Sequence, residues 1–203
     1  MIKVHKVEKK YWWVISYSLL SGLVSMAIVT IFRPWGQYEG TDDYLVLNGI
    51  YLDSQEEIKT WSDFADEAPT SDLEDTYNRL QTAAIVFLVF NIVSMLLYIA
   101  THVMLNLDNC GKFSKTLLTV ISYWLGFVFY LIGYIVFVTE ANVTFGEADE
   151  GVFDAESELQ KASAGTSAII GLIIVLLSGI GVTLHTYIWW RANAAMKLLN
   201  ASS

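Results

Sequence analysis

Side chains suited to catalysis or metal binding are few in this chain and lie far apart. The three histidines, His5, His102 and His185, are of a type that ligates metals or carries protons, but each lies near the end of an apolar run and no carboxylate accompanies them within those runs. At such positions an imidazole reaches water at little cost. We therefore expect no catalytic residue, no cofactor and no metal site. The alternative is a metal or proton site between the second and fourth apolar runs, which cover about residues 83–105 and 164–190.

Enzyme chemistry inside a membrane needs paired acids, clustered histidines or a Ser/His pair, and the apolar runs contain none of these arrangements. The sequence also has no Gly-rich phosphate loop and no basic nucleic-acid patch. The chain is therefore predicted not to be an enzyme and to bind neither nucleic acid nor a small-molecule substrate.

Two residues have the surroundings of covalent modification sites. Asn142 begins the glycosylation triplet Asn-Val-Thr. Cys110 follows the second apolar run and precedes Gly111 and Lys112, a position typical of palmitoylation, although an unmodified thiol fits the same pattern. Because Cys110 is the single cysteine, an intramolecular disulfide is excluded.

Asn91 is a polar residue within the second apolar run. Polar groups inside a membrane are costly, so each is a candidate functional residue. A hydrogen bond to a neighbouring helix is the role that we expect, since amide side chains join helices in lipid.

Four uncharged apolar runs position these residues. They cover about 11–32, 83–105, 117–138 and 164–190, and each is long enough for a hydrocarbon core of about 30 Å. Charged residues make up only 16% of the chain, too few for the surface of a water-soluble domain. The sequence thus predicts an all-α membrane protein, a single four-transmembrane-helix bundle over residues 1–203.

The first of these runs also resembles a secretory signal peptide, because Lys9 and Lys10 precede it. Its 22 residues exceed the roughly 7–15 of a signal-peptide core, and no cleavage site of small residues follows it. We therefore expect a retained span.

Charge is segregated between the two sides of the predicted bundle. Segments 1–10, 106–115 and 191–203 hold 8 of the 12 basic residues, which places them in the cytosol by the positive-inside rule. Loops 33–82 and 139–163 carry net charges of −9 and −6 and are predicted to be extracellular. We expect a multi-pass plasma-membrane protein with cytoplasmic termini and with Asn142 on the glycosylated side.

The first extracellular loop is expected to form a small antiparallel β-sheet. Asn48-Gly49 separates two short apolar runs and is typical of a type I′ turn with positive φ at both residues, so strands are predicted near 44–47 and 50–53. A third strand is predicted near 57–61. A capping-box pattern at residues 71–74 predicts that the second long helix begins near Asp72.

This arrangement resembles the claudin superfamily, which includes peripheral myelin proteins and auxiliary subunits of calcium channels and glutamate receptors. Pro34-Trp35 resembles the family's Pro-x-Trp start of the outer loop, Gly49-Ile50-Tyr51 lies where its Gly-Leu-Trp signature would sit, and residues 80–84, Leu-Gln-Thr-Ala-Ala, resemble its Leu-Gln-Ala-Ala-Arg. The family's paired loop cysteines are absent. The loop sheet is therefore expected to be held by packing of aromatic residues around Gly49, or by a partner. These aromatic residues are Trp35, Tyr44, Tyr51 and Trp61.

The resemblance implies a non-enzymatic protein that acts through protein contacts, as an auxiliary subunit of an ion channel or receptor or as a component of cell junctions. One alternative is an oligomeric, cation-selective pore with an acidic extracellular mouth. Another is an accessory subunit of a membrane enzyme complex. The expected partners are membrane lipid and either a larger membrane protein complex or further copies of the chain. The acidic loops suit a cation path or a basic partner, and they equally suit plain solubility.

Overall fold

The computed structural model describes residues 2–108, 114–147, 149 and 159–201. Five helices follow one another along the chain: α1 Ile2–Phe32, α2 Trp61–Asp66, α3 Ser71–Asp108, α4 Ser114–Glu140 and α5 Thr166–Ala201. Six short strands accompany them: β1 Gly36–Gln37, β2 Tyr44–Val46, β3 Gly49–Leu52, β4 Glu57–Thr60, β5 Val143–Thr144 and β6 Ala162–Ala164. The four long helices form a bundle. We call the end that carries the strands and α2 the sheet end, and the opposite end the terminal end.

Three helices are long and apolar enough to cross a membrane, within Ser71–Met104, Leu117–Glu140 and Thr166–Arg191. The described side chains of α1 add a shorter apolar stretch, Ser18–Phe32. By helix length and hydropathy the chain is therefore a multi-pass membrane protein.

Helix α3 shows how the apolar surface is distributed. Large apolar side chains remain exposed at steps of three or four residues along one face: Ile85, Val89, Ile92, Leu96, Ile99 and Val103. The buried face carries polar residues such as Asn91, Ser94 and Thr101. Such a helix is suited to lipid outside and to hydrogen bonding inside, because lipid removes any need for a polar outer surface.

The first loop contains an antiparallel sheet, as predicted, because β1–β2, β2–β3 and β3–β4 all pair antiparallel, but the sheet does not end within that loop. Its order is β4-β3-β2-β1-β6-β5, so strands from the second loop extend it, and the β5–β6 pair is parallel. The strands involved are two or three residues long, and their sequences show no alternation of apolar and polar residues that would predict them.

The first hairpin is present, but its turn is not of the predicted type. Val46 pairs with Gly49, so Leu47 and Asn48 form the turn, and neither Asn48 nor Gly49 is among the residues with positive φ. Gly49 is required for another reason. A Cβ on Gly49 would lie 2.0 Å from the carbonyl oxygen of Lys59, because β4 passes directly beside it.

Helix α3 begins one residue before the predicted Asp72, and the Thr70 hydroxyl accepts a hydrogen bond from the backbone N–H of Leu73. A complete capping box is found instead at α2, which the sequence pattern did not predict. There, Thr60 and Asp63 exchange side-chain-to-backbone hydrogen bonds.

Candidate functional site

The junction between sheet and bundle is built around Trp35. Its side chain is fully buried, its Nε1 donates to the Thr30 carbonyl oxygen at 2.9 Å, and its ring meets the edges of Phe87 and Phe137 at centroid distances of 4.8 Å. The backbone N–H of Trp35 donates to the carbonyl oxygen of Leu45 in β2. One residue therefore contacts α1, α3, α4 and the sheet.

The start of α5 is fixed to the same place. The N–H of Gly165 donates to the Trp35 carbonyl oxygen, and both the N–H and the hydroxyl of Ser167 donate to backbone carbonyls, those of Pro34 and Arg33. A Cβ on Gly165 would lie 2.7 Å from the Pro34 carbonyl oxygen, so the two chain segments touch at the backbone. The sheet is thus held rigidly at the ends of α1 and α5.

The other aromatic residues singled out in the first loop lie on the sheet and beside it. Trp61 is buried at the start of α2, where its Nε1 donates to the Leu47 carbonyl oxygen at 3.1 Å. Tyr51 is half-buried and stacks on Tyr44 across the β2–β3 pair, with centroids 4.6 Å apart. The Trp61 hydrogen bond links the hairpin to α2, and the tyrosine stack joins the two hairpin strands, without any disulfide.

In the part of the sheet end that the structure describes, acidic side chains outnumber basic ones and few of them form ion pairs. Among the described residues the salt bridge that the structure shows joins Lys59 to Glu67. Arg79 lines a groove of about 690 Å³ between α3 and α4 together with the carboxylates of Asp72, Asp75 and Glu140, and its guanidinium donates to the Thr76 hydroxyl. The surface of this end therefore has a strongly negative potential.

Local contacts also shift the titration of groups at the sheet end. Hydrogen bonds from the side chain and the backbone N–H of Thr60 lower the pKa of the Asp63 carboxyl group. Burial, with the Asp43 carboxylate nearby, raises the pKa of the Tyr38 hydroxyl. Asp63 is consequently ionised and Tyr38 neutral near pH 7, so the acid that caps α2 adds to the negative surface.

Within the bundle, Asn91 is fully buried between α1 and α3. Its Nδ2 donates to the Ala27 carbonyl oxygen at 3.0 Å and lies 3.4 Å from the Thr30 Oγ1. Its Oδ1 has no hydrogen-bond partner among the described residues. Asn91 therefore joins two helices through its amide nitrogen and keeps an unused acceptor.

We expect Asn91→Leu to lower the stability of the bundle by about 1 kcal/mol, because hydrogen bonds between membrane helices contribute on average about 0.6 and at most about 1.7 kcal/mol. Thermal unfolding of the purified protein in lipid nanodiscs measures the change. Thr183→Val is the control, since the exposed Thr183 hydroxyl bonds to the Gly179 carbonyl oxygen of its own helix. Equal shifts for the two variants would contradict the interhelical role.

The sequence analysis did not identify a set of buried tyrosines on α3 and α4 that pack against α5. We call Tyr98, Tyr123, Tyr130 and Tyr134 the tyrosine column. The Tyr134 hydroxyl donates to the Ala168 carbonyl oxygen and the Tyr98 hydroxyl pairs with Ser178, both at 2.9 Å. The only signal in the sequence is that these tyrosines fall in the interior of apolar runs, away from the membrane interface where tyrosine is usual.

Small residues on α5 make room for the tyrosine column. A Cβ on Gly171 would lie 2.5 Å from the Tyr134 ring, and one on Gly181 would lie 2.0 Å from the Tyr123 hydroxyl. Helices α3 and α4 are joined in a similar way, because Gly126 meets the Tyr98 ring and its carbonyl oxygen accepts from the Ser94 hydroxyl at 2.8 Å. Close approach in the bundle therefore depends on aromatic rings packed over glycines.

The histidines lie apart from any cluster of acids. The His185 ring meets the edge of Tyr123 at 5.2 Å, and His102 lines a groove between α1 and α3 near Leu20 and Ser21. Within the described part of the chain, no group of three or more His, Cys, Asp or Glu residues is arranged to hold a metal ion. The side chain of His5 lies outside the described set.

Of the two predicted modification sites, Cys110 lies outside the described residues. Asn142 is exposed in the turn between α4 and β5, with a φ of 51°, and its Nδ2 donates to the Leu159 carbonyl oxygen at 3.3 Å. Positive φ favours asparagine or glycine, so the residue type also suits the backbone here.

Thr144→Ala is expected to abolish glycosylation at Asn142 while leaving the positive-φ residue in place. In mammalian cells the variant should migrate faster than the unaltered protein, and glycosidase treatment should remove the difference. Asn200→Gln is the control, because Asn200-Ala201-Ser202 is also a glycosylation triplet but lies in a tail predicted to be cytosolic. Identical migration of all three proteins would show that Asn142 carries no sugar.

Comparison with protein-family models gives no match, and comparison with curated proteins gives none either. Function must therefore be inferred from the arrangement of the residues themselves.

Proposed function

We propose that this protein is a non-enzymatic tetraspan membrane protein of claudin-like architecture. In this proposal α1 crosses the membrane in addition to α3, α4 and α5, which gives four spans. Both termini are cytoplasmic, and the sheet end is extracellular at the plasma membrane. The protein acts through protein contacts, as an auxiliary subunit of a channel or receptor or as a junction component. The motifs around Trp35, Gly49 and Leu80 support the family assignment.

The observation that carries this proposal is the rigid mounting of the sheet. Strands from both loops form one sheet, and the Trp35 and Gly165 backbones hold it at the ends of α1 and α5. A surface held in one orientation loses little conformational entropy on binding, which favours association with a protein partner. Its uncompensated carboxylates favour a partner with a basic surface.

Two exposed apolar side chains mark where such a partner would touch. Ile58 is 46% exposed on the edge strand β4, and Phe145 is 56% exposed just beyond β5 at the other edge of the sheet. Ile58 lies on the sheet and Phe145 directly follows it, and neither residue belongs to a bundle helix. Apolar residues within a charged rim are typical of a protein interface.

A cation-selective pore formed by several copies is the second candidate. Loops 33–82 and 139–163 together hold 19 of the 21 acids, which raises the local concentration of cations within about 8 Å at physiological salt. In this case the pore lies between the sheets of neighbouring copies.

Photo-crosslinking separates these functions. A photoreactive phenylalanine analogue replaces Ile58 or Phe145 in cells, and Leu176, which is exposed on α5, serves as the matched control. An auxiliary or junction role predicts adducts with a different protein from the sheet positions, whereas a pore predicts adducts at multiples of the chain's own mass. If neither sheet position yields a protein adduct, the contact function is excluded.

The proposed topology has its own test. An epitope tag after Ser203 is expected to bind antibody only in permeabilised cells, and a tag inserted at Gly146 is expected to bind in intact cells. The reverse pattern would overturn the orientation without bearing on the fold.

A further inference from the structure

The groove of about 690 Å³ between α3 and α4 changes character along its length. On α3 its lining passes from Asp72, through Arg79, to Val86. On α4 it passes from Glu140 to Val136, again from the sheet end toward the middle of the bundle. The groove is therefore charged at its sheet end and apolar at its other end, and its volume lies in the range of sites for small molecules.

The change from charged to apolar lining occurs at the depth expected for a lipid headgroup. Ile85 and Ile135 are 55% and 52% exposed, and they begin the apolar outer surface of α3 and α4 at the sheet end. Arg79 precedes the apolar Ala83 by four residues, which is about 6 Å along a helix. A headgroup layer has about this thickness, because a bilayer measures about 40–45 Å with its headgroups and about 30 Å without them.

The Arg79 guanidinium has hydrogen-bond donors that the protein does not use. Arg79 is exposed, and its guanidinium donates to the Thr76 hydroxyl at 3.3 Å. It forms no ion pair with any carboxylate that the structure describes. A guanidinium group has several N–H donors and binds phosphate bidentately. Phosphate is therefore the group that best suits Arg79.

The acids of the groove restrict which phosphate-containing ligand fits. Asp72, Asp75 and Glu140 line the same groove as Arg79, and among the described residues none of the three forms an ion pair. Their combined charge exceeds that of the guanidinium, so a purely anionic ligand would be repelled. A ligand that carries both a phosphate and an ammonium group matches both signs of charge.

We propose that this groove binds a zwitterionic phospholipid from the leaflet at the sheet end. The lipid phosphate accepts hydrogen bonds from Arg79, and its ammonium group lies among the three carboxylates. One acyl chain lies on the apolar lining at Val86 and Val136. The site takes lipid and not protein, so it goes beyond the contact function proposed above.

Native mass spectrometry of the full chain, released from detergent micelles, tests the proposal. Phosphatidylethanolamine and phosphatidylglycerol with identical acyl chains are supplied at equal concentrations. We expect phosphatidylethanolamine to be retained preferentially, because its ammonium group meets the carboxylates. Equal retention of the two lipids, or a preference for phosphatidylglycerol, overturns the proposal.

Free phosphoethanolamine distinguishes a lipid site from a site for a soluble headgroup. It should not displace the lipid at equal concentration, because it has no acyl chain to contact Val86 and Val136. Displacement at equal concentration would assign the groove to a soluble ligand and overturn the proposal.

Arg79→Gln removes the phosphate contact and is expected to lower the retention of phosphatidylethanolamine about tenfold, as for the loss of a hydrogen bond to a charged group. Arg33→Gln is the matched control, because Arg33 is exposed at the same end of the bundle but does not line the groove. It should leave retention unchanged. Equal losses in the two variants would show general attraction of lipid to arginine and would overturn the proposal.

Glu140→Gln tests the ammonium contact through a ratio that does not depend on the amount of folded protein. It is expected to reduce the preference for phosphatidylethanolamine over phosphatidylglycerol about two- to fivefold, as for the loss of one exposed charge pair. An unchanged preference would show that the groove carboxylates do not contact the headgroup, and would overturn the proposal.

Discussion

Gly49→Ala is expected to separate β3 from β4 and to destabilise the sheet by about 3 kcal/mol, at the upper end of the cost of overpacking. The added methyl group would lie 2.0 Å from the Lys59 carbonyl oxygen and 2.9 Å from the Thr60 Cα, both of which are backbone atoms that no rotamer change can move. Limited proteolysis between residues 52 and 61 measures the loss of the β3–β4 pair, and thermal unfolding measures the stability.

Gly146→Ala is the matched control, because a Cβ there makes only an ordinary contact at 3.6 Å with the Thr144 hydroxyl. We expect it to change stability by less than about 0.5 kcal/mol. Gly49→Asn separates the two explanations for glycine, because asparagine is tolerated at positive φ but has a Cβ. If this variant were as stable as Gly146→Ala, the close passage of β4 would be contradicted and a type I′ turn at Asn48-Gly49 would be supported.

Trp35→Ala is expected to cost about 3–5 kcal/mol, the usual range for removing a buried tryptophan. It empties the space between Phe87 and Phe137 and leaves the Thr30 carbonyl oxygen without its indole donor. Because Trp35 contacts both sheet and bundle, we expect the two to lose their cooperative unfolding. Differential scanning calorimetry should show a broader or split transition at lower temperature.

The exposed Trp190 provides the control for Trp35, and Trp190→Ala is expected to leave the midpoint within about 2 °C of the unaltered protein. Trp35→Phe distinguishes the two contributions of the indole ring. It keeps most of the apolar contact and removes only the hydrogen bond, so its cost should be nearer to 1 kcal/mol. A cost for Trp35→Phe equal to that of Trp35→Ala would contradict the packing role.

The long helices could be predicted from the sequence because a membrane span needs a minimum length of apolar residues. A run of about 20 apolar residues has few alternatives to a helix, so residues 83–105 and 117–138 lie within α3 and α4. The fourth run lies within α5 from Thr166 onward, whereas its first predicted residue, Ala164, ends β6. The hairpin around residue 48 was accessible because short apolar runs flank a turn pair. The geometry of its turn could not be predicted. Glycine is needed at position 49 because β4 passes beside it, and the residues around position 49 do not show which strand will be its neighbour.

Strands β5 and β6 were not predictable for a related reason. Each has two or three residues and is stabilised by pairing with a strand distant in sequence, as when Gly36 pairs with Ala164. Within the bundle, Asn91 was predictable because an amide stands out in an apolar run. The tyrosine column was not, because a tyrosine in such a run does not by itself show whether its hydroxyl meets a helix or the headgroup region.

The hydrogen bonds between residues 33–35 and residues 165–167 have a mechanical consequence. They tie the first and last long helices at one end, whereas α3 and α4 are fastened to each other along their length through Ser94 and Ser122. A force applied to the sheet is therefore transmitted first to the sheet-end termini of α1 and α5, through hydrogen bonds that involve backbone carbonyl oxygens.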